Sequence, residues 1–454
     1  DAEVFQKKEE EIVKIESTKN ALSEKEIINK YPKKINIQKN KSLKETEIKK
    51  NVSKLIERNE PQKVKKKETI LLDSEVDKKK KDSQRDYNIG VLLPLSGKDR
   101  ELGALILNSL EMALFQINNK KINLIVRDTK GDPLETRKVF QEMVKENISL
   151  FIGPLYSKSL VSIEGYARAK NINIFALTNN INLAKNGIWV FGIDPRQQVK
   201  KVIDFLISNG NKKIGFLFPQ NSYGNILYET VLSSLNRYGL APERVEFFND
   251  NIQSQQAAAK KLAIGFEKFA QNIKEIENNI SEDPDSYDVN NNFTKEKPLD
   301  SVFIGASGQT LTILASQLQY SGVEPEYVTY IGTSSWEDNS ILQEPALNQG
   351  VFSATMDFLR EDISKTYIKA YDTDMPKVGM IAYDILSLLS IVLEEDNEIN
   401  MQYLLNVNGF VGLRGLFRLK TDGTVERVFQ IKKIQKEKFI TFIEAPVNFL
   451  IDLN

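Results

Sequence analysis

Cysteine and histidine are both absent from the 454 residues. Together these absences exclude disulfides, cysteine nucleophiles, cysteine- or histidine-ligated zinc and the Ser-His-Asp triad. Net charge is absent as well: 62 basic residues face 62 acidic ones, a balance that argues against a nucleic-acid partner. No apolar run reaches the roughly 18 residues that a membrane-spanning helix needs. Methionine is missing from the first position, where Asp1 stands. That is expected of a processed form from which a secretory signal, and with it a lipid-bearing cysteine, has been removed, so that any membrane attachment is a lipid anchor outside this chain.

Glycine is missing from the whole of residues 1–86, and aromatics there are limited to Phe5 and Tyr31. The segment carries 24 Lys and Arg against 18 Asp and Glu, with blocks at Lys65–Lys67 and Lys78–Lys81, so it is basic by six charges and the remainder acidic by six. Such a stretch buries too little apolar surface to offset the entropy of ordering it. It reads as a disordered spacer averaging about 50 Å end to end as a coil. It serves either as a tether that lifts a domain from a surface or as a solvated tail.

What is present begins at Tyr87. Ile89–Leu93 is a branched apolar run of the kind buried on both faces of a sheet. Pro94 ends its pairing, Ser96-Gly97 permits a turn, and an amphipathic helix follows from Leu102. In open α/β sheets such turns lie at the carboxyl ends of strands, where ligands bind. The alternation continues. Strands are expected at Lys121–Arg127, Ser149–Ile152, Ile172–Ala176, Ile188–Gly192, Lys213–Phe218, Arg244–Phe248, Asp300–Ile304, Tyr327–Ile331 and Val351–Ala354. Helical patterns separate most of them, which means βαβ units and mostly parallel sheets. Two such series imply an α/β protein with two sheets in two lobes. Residues 271–298, polar and poor in apolar groups, read as a mobile insertion after a helix at Ala257–Phe269. Arg414–Leu419, Val428–Lys433 and Phe439–Phe442 read as closing antiparallel strands, with Asp422-Gly423 as a turn.

Signatures of catalysis are lacking. There is no P-loop and no GxGxxG, and Gly305-Ala306-Ser307-Gly308 fails as a nucleophile elbow. Asp128 and Asp132 in RDTKGDP lack the calcium-loop spacing. No catalytic residue, metal ligand or cofactor site is expected.

In order along the chain stand LPLSG, RDTKGDP, FIGPLYS, IFALTNN, GIDPRQQ, FPQNSYG, FIGASGQ, IGTSSWED and GLRGLFRLKTDG. This series resembles the type I periplasmic binding proteins of the leucine/isoleucine/valine-binding kind, from Tyr87 to the end. The phrases IGVLLPLSG, LFIGPLYS and NGFVGLRGLFRLKTDGTVER are similar to those of a proteobacterial branch, the penicillin-binding-protein activator lipoproteins. The charged spacer departs from the helical-repeat extension of that branch.

The resemblance implies two Rossmann-like lobes joined by crossovers around a hinge cleft. Lobe 1 comprises about 87–195 and 357–410, lobe 2 about 196–356 and 411–454. It also implies cleft residues. Ser157, Thr178, Asn179 and Asn180 match the loops that hold a ligand carboxylate, and Ser96 and Tyr223 approach from the sides. Ser157 reads equally as a helix N-cap, and Tyr156 and Trp336 equally as pocket lining or lobe packing. Ser307, Ser334 and Ser335 stand where amino-acid-binding members place an acid for the ammonium group, and Glu337 and Asp338 lie just beyond. The implied function is a non-enzymatic cell-envelope regulator docking on a peptidoglycan synthase. The alternative is an amino-acid or amide receptor serving an ABC permease. Either places the protein in the periplasm, with a small ligand possible in the cleft.

Overall fold

The computed structural model describes residues 87–118, 121–282, 297–356, 360–393 and 399–449. The expected tether, residues 1–86, lies outside them, as does 283–296 of the expected insertion.

Strands β1 (Tyr87–Leu93), β2 (Ile122–Asp128), β3 (Leu150–Ile152), β4 (Asn173–Ala176) and β5 (Ile188–Val190) form one parallel sheet in the order β2-β1-β3-β4-β5. Alternate residues of β1 enter different cores. Ile89, Val91 and Leu93 face helices Arg100–Ile117 and Lys377–Val392, whereas Leu92 faces helices Pro133–Lys145 and Ser157–Ala169. Both faces are therefore covered, and this is why the strand reads as a continuous apolar run rather than an alternating one.

The second lobe repeats the plan. β6 (Ile214–Pro219), β7 (Arg244–Phe248), β8 (Ser301–Ile304), β9 (Thr329–Gly332) and β10 (Val351–Ala354) run parallel. β14 (Gln430–Gln435) and β15 (Lys438–Ile443) add antiparallel at the β10 edge, completing seven strands. Phe216 and Phe218 point to helices Pro195–Ser208 and Ser222–Asn236. Leu217 points to helices Ile252–Leu262 and Gly308–Tyr320.

One close approach recurs in both lobes. A Cβ on Gly103 would lie 1.9 Å from the Pro94 carbonyl oxygen, and one on Gly224 would lie 1.8 Å from that of Pro219. Each glycine lets the first helical turn press against the end of the strand before it, which draws the intervening turn tight at the sheet's carboxyl edge.

Three expectations need correction. Gln271–Glu282 is not loop: it continues a helix, Phe266–Glu282, whose Phe269 and Ile273 join the second core. The expected single helix is two, Ile252–Leu262 and this one, parted at Gly265 with φ +90°. The lobe boundary also lies later than Phe410. β11 (Phe410–Gly412), β12 (Gly415–Leu419) and β13 (Val425–Arg427) form a small antiparallel sheet. Its Phe417, Leu419 and Val425 belong to the first lobe's core. The Asp422-Gly423 turn forms as expected, and the Gly423 carbonyl accepts a 3.0 Å bond from Val190 N–H, fastening the hairpin beside β5. The chain thus crosses between lobes after β5, after β10 and between Arg427 and Gln430.

Candidate functional site

The first-lobe wall is built at the carboxyl ends of β1, β3 and β4. Asp128, ending β2, organises the turn after β1: its Oδ1 accepts 2.8 Å bonds from the N–H groups of Leu95 and Lys130. Burial pushes this carboxyl up, but hydrogen bonds from the Ser96 hydroxyl and from those backbone groups outweigh it and hold it below the usual carboxylate range. Ser96 is thus engaged within its own lobe. Tyr156 closes the wall. Its ring lies 3.3 Å from where a Cβ on Gly131 would stand. Desolvation, with a hydrogen bond to Asp99 and the Asp99 charge, pushes its hydroxyl up to about 12.

Ser157 is not a cap. Tyr156 holds the N-cap position, no side chain caps that helix, and Ser157 is its first residue. The Ser157 and Thr178 hydroxyls pair at 2.7 Å, and Thr178 Oγ1 also accepts from Asn180 N–H at 3.3 Å. One hydroxyl proton is spent in the pair, so the other remains as a donor beside an uncapped helix N-terminus. Asn180 spends its side chain on Asn182 N–H at 3.3 Å, and Asn179 is exposed.

The second-lobe wall is a chain of hydroxyls. Thr333 sits 3.0 Å from Ser335 and is hydrogen-bonded to the half-buried Tyr223 hydroxyl, which opposes the larger upward push of desolvation on that phenol. Ser335 reaches the Ala306 carbonyl at 3.4 Å, and Ser334 N–H donates to Gln198 at 2.7 Å. Ser307 is exposed at a helix N-cap without a side-chain bond. Trp336 is fully buried and donates to the Ile304 carbonyl at 3.2 Å, so it packs the lobe rather than lining the cleft. Ser307 and Ser335 come together with Asp338, Asn339 and Lys377 around a cavity of about 560 Å³, within the range of small-molecule sites. Ser96, Ser157 and Thr178 do not line it.

At the floor of this cavity lies an arrangement that the sequence alone did not disclose. The Glu337 side chain is only 6% exposed and receives three cations. Lys432 Nζ is 2.7 Å from Oε1, and Arg414 and Lys377 are each 3.4 Å from Oε2. Lys377 also donates to the Glu337 carbonyl at 2.9 Å. Burial pushes the Glu337 carboxyl up, yet the charges of Arg414, Lys432 and Lys377 prevail and bring it to about 2. Glu337 and Lys432 belong to the second lobe. Lys377 opens the helix that packs on Arg100–Ile117, and Arg414 sits in the β11–β12 turn. One carboxylate therefore ties the two lobes together, and it is already saturated by cations.

Behind it, fully buried Asp384 accepts from Leu413 N–H at 2.6 Å and from Arg414 N–H at 3.4 Å. Burial raises its carboxyl to about 6 despite the Arg427 charge, and burial lowers Arg427 to about 10. Arg414 and Arg427 stand in the quoted phrase NGFVGLRGLFRLKTDGTVER, so the motif was visible in the sequence but the reason for its arginines was not. Lys377, Lys432 and Asp384 gave no local signal, because their partners lie far along the chain.

Among the described residues no group of acidic side chains is placed to hold a metal ion, and no helix is long and apolar enough to cross a membrane.

The profile of the family described as periplasmic binding protein matches residues 86–395. An uncharacterised protein of Rickettsia prowazekii is 23% identical over 371 residues, covering 80% of this chain and 90% of its own. The penicillin-binding protein activator LpoA of Vibrio cholerae is 24% identical over 232 residues, 50% of this chain but only 37% of the activator's length. Among solved structures, the LpoA C-domain of Haemophilus influenzae, described as a regulator of PBP1A, superposes with a TM-score of 0.57 at 17% identity, covering 78% of this chain and all of that one. The leucine-binding protein LivK of Thermotoga maritima gives 0.54 at 13% identity, covering 78% and 97%.

Proposed function

Because the chain belongs to the periplasmic binding protein family, we propose that it is a non-enzymatic regulator of the cell envelope, of the penicillin-binding-protein activator kind. In this reading a binding-fold domain, carried on the basic N-terminal segment and lipid-anchored in the periplasm, docks on a peptidoglycan synthase. The saturated Glu337 carboxylate is the observation that carries it. A receptor for free amino acids needs an unpaired acid in this lobe to receive the ligand ammonium. The nearest acid in the sequence is instead engaged by Arg414, Lys432 and Lys377, the next, Asp338, is exposed and already accepts from Ser340 N–H at 2.9 Å, and Ser307 and Ser335 offer only hydroxyls. Leaving one partner of a buried charge pair unmatched costs about 2–5 kcal/mol, or roughly thirtyfold to several-thousandfold in affinity. The bridge between lobes also opposes the free opening and closing on which a solute receptor depends. The likeness to the activators supports the choice of partner.

A second reading, the receptor of an amino-acid or amide ABC transporter, draws support from the Ser157–Thr178 pair beside the uncapped helix, a carboxylate cradle that is still in place. Calorimetry with leucine, valine and glutamine separates the two. The regulator reading expects no binding at micromolar concentrations, and micromolar affinity for any of the three would put the receptor reading first. The regulator reading also expects the full chain to raise the rate of a purified peptidoglycan synthase, and an unchanged rate with no complex in sedimentation would remove it.

A further inference from the structure

A second cavity, of about 320 Å³, lies in the groove between helices Pro195–Ser208 and Ser222–Asn236, and its lining differs in kind from that of the cleft. Arg196, Lys200 and Arg237 contribute three cations, Thr230, Ser233 and Ser234 contribute three hydroxyls, and no carboxylate lines it. The spacing produces this. Arg196 and Lys200 are four residues apart on one helix, and Thr230, Ser233 and Arg237 share a face of the other. Both guanidinium groups are held in place by neighbours. Arg196 donates to Asn182 at 3.0 Å. Arg237 donates to Asp204 at 2.8 Å and lies 5.4 Å from the centre of the Tyr238 ring. Each of these bonds uses one of the five donors an arginine carries. The nearby acids are already occupied: Asp204 also receives the Tyr238 hydroxyl at 2.9 Å, and buried Asp194 caps its helix through Arg196 N–H at 3.0 Å.

We propose that this groove is an anion site, distinct from the interlobe cleft, that takes a phosphate-type group of a phosphate ester or diphosphate. Two planar guanidinium forks match a phosphate bidentately, a lysine adds a point charge, and the Ser234 hydroxyl supplies a neutral donor, those of Thr230 and Ser233 donating instead to the carbonyls of Ile226 at 2.6 Å and Thr230 at 2.9 Å. The cavity holds a phosphate with part of the molecule it is attached to. A soluble phosphate ester and a phospholipid headgroup present the same chemistry.

The test uses the full chain and its Arg196→Gln/Lys200→Gln double variant, with melting curves establishing that both are folded. Pyrophosphate is titrated by calorimetry at low salt, and cosedimentation is measured with vesicles of phosphatidylglycerol in phosphatidylcholine. The basic N-terminal segment is common to both chains, so only their difference reports on the groove. Pyrophosphate binding that weakens about tenfold or more in the variant supports the site with a soluble ligand. Cosedimentation that falls in the variant, without pyrophosphate binding, supports it with a headgroup. Equal behaviour of the two chains with both probes overturns it.

Discussion

Replacing Glu337 with glutamine removes the one negative charge that three cations share. Arg414 has no exposed side-chain surface and Lys432 is 10% exposed, so neither recovers its hydration when the carboxylate goes. Breaking a buried pair in this way costs about 3–5 kcal/mol. The depression of the Glu337 carboxyl gives a second figure. The carboxyl sits at about 2 rather than its usual 4.5, and at 1.36 kcal/mol per pKa unit that depression corresponds to about 3 kcal/mol. A carboxyl held low contributes stability that is complete above its unfolded value and is lost as pH falls from about 4.5 through about 2. Glu337→Gln is therefore expected to melt roughly 4–10 °C below the parent at pH 7, with the gap closing as pH is lowered towards 2. Differential scanning calorimetry of both chains across that range is the assay. A variant melting within about 1 °C of the parent at pH 7 would refute the bridge, since surface ion pairs contribute no more than that. So would a gap that ignores pH.

Asp384 should act in the opposite direction and in a different window. Its folded carboxyl lies at about 6 against a usual 3.8, so its contribution is complete below about 4 and is lost as pH rises through 6, by about 3 kcal/mol. Asp384→Asn should lack that decline when parent and variant melts are compared from pH 4 to 7, and an identical decline in both would reject the assignment. Gly103→Ala and Gly224→Ala should each destabilise their lobe by about 2 kcal/mol or more, because the added methyl meets a proline carbonyl that cannot withdraw. Urea titration reads this directly, and a neutral effect would mean that the strand-to-helix turn yields.

The layers of the fold were legible because their signal is local. Ile89–Leu93 announces a strand covered on both sides, and the glycine and proline turns mark where each strand hands over to a helix. The helix Phe266–Glu282 was misread because its polar composition resembles a loop, although Phe269, Ile273, Ile276 and Ile280 recur at helical spacing. The lobe boundary was misplaced because Phe417, Leu419 and Val425 look like any strand residues, and only their neighbours in space assign them to the first core. The cleft divided in the same way. Ser157 and Thr178 sit in loops whose order along the chain identifies them. The bridge on Glu337 joins positions 40 to 95 residues apart, a juxtaposition that no window of sequence contains.

The hairpin that returns to the first lobe constrains the order in which this molecule can be assembled. Phe417, Leu419 and Val425 complete a core that begins with Ile89, so the first-lobe core stays open until nearly the last strands have emerged. The intervening second lobe is closed in turn by β14 and β15, which come later still. Neither half is a contiguous stretch that could mature while the remainder is being made. Loop closures of this length make such pairings slow and leave apolar edges uncovered meanwhile. The long wait falls before the last strands are in place, and aggregation through uncovered apolar surface is the hazard at that stage.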